Sequence, residues 1–436
     1  VSGDVGAFVA GKGAELTVNG GEINGSAFAI SGNGTKTQNS DQGNTKITIT
    51  DGSITSTNAA GIYHPQDGVL TVTGGEITGT SGIEMRSGTL NVSGNAVITA
   101  TAETFSTGGN GSGSTTDGAA IAVAQHTTKQ PITVNITGGT LKGIVALNDS
   151  NVQNNDGTSP VTIDIENSNL EGALQSNGFA DITVKDSEIS GNVTNASTGD
   201  LTITGGTVTG DVDNQSTGDV VIQENATVTG SVTNTGTGGS KGSVAIINST
   251  VGDADTADSS ITIVDSTVGD QEIAGTEYVA MVGATGYEKL SDALDAVKNS
   301  GGTITLLRDA ALTDADYDIA GDVTITGNGK ITVDVKDPVT NDGVNPPTTT
   351  YYHAFTIMPN ASLTLDGVTM DITGQGYGID IQYDSTLTLD GATLNIHDVS
   401  NATISSKPSG TTNPGIIDVL NGSTITATNI NGNFSN

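Results

Sequence analysis

The chain has 436 residues, of which 34% are hydrophobic and 3% aromatic, too few to fill the core of a compact globule of this size. Its 14 Lys plus Arg against 48 Asp plus Glu leave a net charge of −34. That argues against nucleic acid and anionic membrane as partners, since both demand clustered basic charge; it permits cations, calcium among them. With no cysteine there is no disulfide or thiol chemistry, and no apolar run approaches the length of a membrane span.

Low apolar content can signal disorder, yet Val, Ile and Thr alternate strictly over long stretches. A solenoid reconciles the two, because its core is a thin column fed by a few inward side chains per coil. The 61 glycines fit, since every coil needs tight corners.

Over residues 1–100 the motifs are LTVNGGEING from Leu16, ITITDGSITST from Ile47, LTVTGGEITGT from Leu70 and LNVSGNAVITAT from Leu90. Each pairs an alternating triplet with a Gly or Asn corner and a second apolar segment, the pattern of strands with one face inward. AFAIS (27–31), GIYH (61–64) and GIEM (82–85) supply a third strand. Three strands per coil with unequal corners predict a right-handed parallel β-helix. In this register Tyr63 and Glu84 point outward in successive coils near Arg86, and His64 points inward.

Residues 101–131 form a polar insertion followed by AAIAVA, and NDSNVQNNDGTSP (148–160) is a second loop. From Ile182 the period is fixed at 19 residues, through Leu201 and Val220. Asn195, Asn214 and Asn234 each lie two positions past an inward Val, which predicts a structural Asn ladder. Two degraded coils follow over 244–268. The pattern then breaks into EIAGTEYVAMVG, YEKLSDALDAVKNSGG and TITLLRDAAL. Leu290, Ala293, Leu294 and Val297 fall at helical spacing, with Ser291 early and Gly301-Gly302 after. The expected organisation is a first β-helix over 1–270, a strand-helix-strand cap over 271–322 and a second β-helix over 323–436. In the second, a 24-residue register aligns Phe355 with Ile379, Leu363 with Leu387 and Met370 with Leu394; the third copy aligns Ile417 with Ile379 and Ile425 with Leu387.

The GGEITG, GIYH-type and YEKLSDALDAVKNSGGTITLL segments resemble repeats of large bacterial cell-surface, adhesin-like proteins of the pectin-lyase-like superfamily. The resemblance implies export, surface display and side-face ligands: glycans, host surface proteins or further copies of the chain. The abrupt start at Val1 and the end at Asn436 read as a trimmed piece of a larger exported protein.

Catalytic β-helices cleave polysaccharides either as lyases, with calcium carboxylates and a basic residue, or as hydrolases, with paired carboxylates. Lys330, Lys336 and Arg308 fall in cap or loop regions and align with no carboxylate column. For a hydrolase, Asp380 and Asp418 are expected to stack outward on adjacent coils, near the ~5–5.5 Å separation of a retaining pair. Tyr377 and Tyr383 flank Asp380, and His353 aligns with Tyr377, an arrangement suited to a sugar platform. Outward acids on a solvated strand are equally read as solubilising. The acidic stretches 149–156 and 253–258 lack EF-hand spacing and read as turns, so no metal centre is assigned. Thr columns could bind ice, but coil lengths of 19 to 31 residues argue against a uniform lattice, and β-propensity explains them. The leading expectation is a non-enzymatic extracellular adhesin or stalk module without a cofactor; the alternative is a polysaccharide hydrolase.

Overall fold

The computed structural model describes residues 1–34, 43–107, 116–124, 130–147, 161–236, 241–327, 329–343, 346, 348–399, 402–406, 413–428 and 430–432. The chain forms two compact units, Val1–Ala274 and Gly275–Asn436. Each is a parallel β-helix with three strands per coil, and the strand pairs between coils are parallel and in register.

In the first unit one inward column runs through eleven coils: Leu16, Ile47, Leu70, Leu90, Val134, Ile163, Ile182, Leu201, Val220, Val244 and Ile261. Successive members are 17 to 44 residues apart in sequence, yet each pairs directly with the next. Extra residues are therefore taken up at corners, while hydrogen bonding holds the strands about 4.8 Å apart. This corrects the expectation that uneven coil length breaks the lattice: column spacing is set by the backbone ladder. Almost all of this column is buried, as are its second-face counterparts, Ile54, Ile77, Ile98 and Leu141 among them.

The corner after the first strand repeats one solution. Asn167, Asp186, Asn248 and Asp265 have φ between 46° and 49°, a left-handed conformation that Asn and Asp tolerate. A buried serine follows each. Ser168 N–H donates to Ser187 Oγ at 3.1 Å, and Ser249 N–H donates to Ser266 Oγ at 3.1 Å. Each hydroxyl in turn donates to the carbonyl two residues earlier. This serine ladder joins coils where water is excluded.

The second unit has three faces. The first contains Gly302–Leu306, Asp322–Gly327, Ser362–Asp366, Thr386–Asp390 and Ile416–Leu420. The second contains Ala310–Ala315, Lys330–Val335, Thr369–Gly374, Thr393–Ile396 and Thr424–Ala427. The third contains Tyr317–Ile319, His353–Ile357, Tyr377–Ile381, Ile404–Ser406 and Ile430–Gly432. Parallel pairing begins at Gly302–Leu306, one coil before residue 323. Helix α1, Leu290–Val297, buries Leu290, Ala293, Leu294 and Val297 against this core. Ser291 is not its cap: Lys289 occupies that position without a side-chain bond, and the Ser291 hydroxyl meets Asp292.

The 24-residue register holds for Phe355–Ile379, Leu363–Leu387 and Met370–Leu394. The third copy does not follow the expected alignment. Ile404 pairs with Ile379, Ile417 with Leu387 and Ile425 with Leu394. The strand Ile404–Ser406 supplies the missing third face. Its inward residues end on a buried serine, Ser406, so apolar alternation does not reveal it.

Candidate functional site

The register change separates the expected carboxylate pair. Asp380 lies on the third face, beside Thr356 in one coil and Ser405 in the next. Asp418 lies on the first face beside Thr388 and is exposed. Asp380 Oδ1 accepts a 2.6 Å hydrogen bond from Ser405 Oγ. Its in-register neighbours are hydroxyls, whereas glycoside hydrolysis by the two-carboxylate route requires a second acid across the bond. Asp366 and Asp390 do stack in register on the first face, but they are engaged by Thr326 Oγ1 and Asn421 Nδ2.

Of the expected aromatic residues, His353 and Tyr377 come together. The backbones of His353 and Tyr377 pair across coils, and their rings lie 5.0 Å apart; Tyr351 and Tyr377 are 5.2 Å apart. Both separations suit tilted aromatic contact. Lys336 sits 4.1 Å from the Tyr352 ring centre and 3.7 Å from Asp316 Oδ2, a cation–π contact closed by an ion pair. Backbone geometry fixes the corner. The short antiparallel pair Val339–Asn341 with Thr348–Thr350 returns the chain to Tyr351. Tyr377 N–H then donates to Tyr352 O at 2.8 Å. A side chain at Gly376 would meet Val335 Cγ1 at 2.4 Å and Tyr352 O at 2.5 Å, so only glycine permits this approach.

Tyr377 and Asp380 are three positions apart on one strand, hence of opposite parity. The aromatic rings gather at the corner between the second and third faces, while Asp380 lies on the flat third face. Tyr383 follows the end of that strand and is half-buried. Tyr351, Tyr352 and Lys336 were the members not foreseen. The run Tyr351-Tyr352-His353, in a chain with eight tyrosines, was the available signal.

Lys330 opens a strand, where it was expected in a cap or loop. Its ammonium is 2.6 Å from Asp371 Oδ2, and Asn395 Nδ2 donates to Asp371 Oδ1 at 2.7 Å. These bonds, from Lys330 first and then Asn395, hold the Asp371 carboxyl below its ordinary range and raise Lys330.

In the first unit, Tyr63 and Glu84 do pair in register, but neither meets solvent. Tyr63 stacks on Phe28 at 5.3 Å and is buried. Glu84 is wholly buried; its carboxylate meets Arg86 Nη1 and the Thr116 hydroxyl, each at 3.2 Å. The strand pair Ser106–Thr107 with Thr116–Asp117 belongs to the polar insertion, and Thr116 closes over Glu84 through its hydroxyl. The acid expected to point outward thus belongs to an internal ion pair with Arg86, and breaking such a pair on one side costs about 3–5 kcal/mol. His64 faces inward above Met85 and is fully buried. Its Nδ1 contacts Ser87 O at 3.1 Å, so that nitrogen carries the proton. Burial lowers its pKa to about 4 despite that bond.

Asn195, Asn214 and Asn234 form one buried column. Asn195 Nδ2 donates to Asn214 Oδ1 at 3.3 Å and to Gly199 O at 3.2 Å. Asn214 Nδ2 donates to Gly218 O at 2.9 Å, and Asn234 Nδ2 to Gly242 O at 2.7 Å and Ser260 Oγ at 2.9 Å. The amides replace water for the corner carbonyls. A second column, Asp181, Asp200 and Asp219, accepts backbone N–H groups of successive coils at 2.8–2.9 Å. Burial, then the charges of Asp219 and Asp181, raise the Asp200 pKa. Of the acidic turns, Asp258 is paired with Lys241 at 2.9 Å, and 149–156 lies outside the described residues. Among the described residues no cluster of three potential ligands could hold a metal ion, and no helix is long and apolar enough to cross a membrane.

No family model, curated protein or solved structure matches the chain.

Proposed function

We propose that the chain is a non-enzymatic, adhesin-like stalk module of the pectin-lyase-like type, displayed outside a bacterial cell, that contacts glycan through a side face. The observation that carries this reading is the aromatic corner of Tyr351, His353 and Tyr377 set on a parallel β-helix. Sugars stack their apolar faces on such rings, and a scaffold whose columns are locked by backbone bonds presents them without an ordering cost. The eleven-coil column of the first unit alone spans about 48 Å at ~4.8 Å per coil, a length suited to a spacer. The hydrolase alternative is weakened because Asp380 has Thr356 and Ser405, not an acid, as its neighbours. Calcium or another cofactor has no role in the proposed mechanism.

The test is incubation of the full chain with a panel of polysaccharides, with release of reducing ends and retention on immobilised polysaccharide both measured. Retention without cleavage is expected. New reducing ends that disappear in Asp380→Asn would replace the stalk reading with the hydrolase; absence of retention on every polysaccharide would remove the glycan contact.

A further inference from the structure

We infer that the aromatic corner selects uncharged saccharides and rejects acidic ones; this rests on the glycan reading above and adds the ligand's charge class. Recognition of a uronate or sialic acid needs a cation to pair with the sugar carboxylate, ideally in a bidentate arrangement. Among the described residues the lysine at this corner is Lys336, and its ammonium is engaged from two sides, by the Tyr352 ring and by Asp316. Asp337 follows it in sequence, and the unit as a whole, residues 275–436, carries 19 Asp and Glu against six Lys and Arg. An approaching polyanion therefore meets a repulsive field before it reaches the rings. An uncharged chain meets no such barrier and finds three rings in contact. Tyr351 is 42% exposed, so its face is open to a ligand. The hydroxyl of the exposed Tyr351 supplies a polar partner for a sugar hydroxyl.

Charge rejection and stacking have separate signatures. Screening acts on the first and leaves the second unchanged. The experiment is titration calorimetry on the full chain with two sets of oligosaccharides of equal length. One set is uncharged (cello-, manno- and galacto-oligosaccharides) and the other is acidic (galacturonate and mannuronate oligomers). Each is measured at low and high salt. At least one uncharged oligosaccharide should bind, with acidic oligomers at least tenfold weaker at low salt and the gap narrowing at high salt. Tyr377→Ala and the more exposed Tyr351→Ala should each weaken binding about tenfold. Asp418→Asn, on the other face, should leave it unchanged. Two variants guard against a failure of folding at the half-buried Tyr377, and both are checked by circular dichroism. Acidic oligomers binding as tightly as uncharged ones would overturn the charge selection and leave the glycan contact standing. Binding that survives both tyrosine substitutions would overturn the site. No binding by any oligosaccharide would overturn the inference and the glycan reading together.

Discussion

Burial of His64 makes a quantitative demand on the stability of the first unit. The ring is fully enclosed, one coil before Met85 in the same inward column, and its pKa falls from 6.5 to about 4. The unfolded chain takes up a proton as pH drops through 6.5, whereas the folded chain resists until about pH 4. Stability is thus unaffected above about pH 7 and declines between roughly pH 6.5 and 4, levelling off below. At about 1.36 kcal/mol per pKa unit the loss is about 3 kcal/mol. His64→Met repeats the residue of the next coil at this column and has nothing to titrate. At neutral pH it should cost about 1 kcal/mol for the lost bond to Ser87 O. Urea denaturation of both proteins at pH 7.5 and pH 4.5, followed by circular dichroism, gives the comparison. The carboxylates respond to pH in both proteins, so the difference between them isolates His64. Equal acid sensitivity in the two, or an imidazole NMR titration centred near 6.5, would refute the account.

Asn214→Ala leaves Asn195 Nδ2 without its cross-coil acceptor and Gly218 O without its donor; a loss of about 2–3 kcal/mol is expected from thermal or urea melting. Glu84→Gln removes the carboxylate charge facing the buried Arg86 and should lower stability by about 3–5 kcal/mol, while an effect under 1 kcal/mol would mean that the pair is solvated. Leu294→Ala opens the capped end of the second unit and should cost about 2–5 kcal/mol, read as earlier proteolysis within residues 275–436. Lys330→Met should let the Asp371 carboxyl titrate at higher pH by NMR, yet change stability by less than about 1 kcal/mol because Lys330 is half-exposed. Chelation with EDTA should leave the melting curve unmoved; a drop of several degrees would assign calcium a structural role.

Strict alternation and short corners determined the parallel β-helix, because each coil must turn one side of every strand inward and the backbone ladder does the rest. The same reasoning placed Asn195, Asn214 and Asn234 in one column and Leu290, Ala293, Leu294 and Val297 on one helix face. It reached the His353–Tyr377 contact as well, since their 24-residue separation equals the local period. What it could not supply was the identity of the strand at an irregular coil. Ile417-Asp418-Val419 and Ile379-Asp380-Ile381 both read as apolar, acid, apolar, and only pairing shows that they belong to different faces. Parity likewise points Glu84 outward, yet an insertion some thirty residues away closes over it through Thr116. Local pattern fixes which side of its own strand a residue takes. Which strand stacks on which, and what is folded across the outside, are set by contacts between distant residues, and those emerged with the tertiary structure.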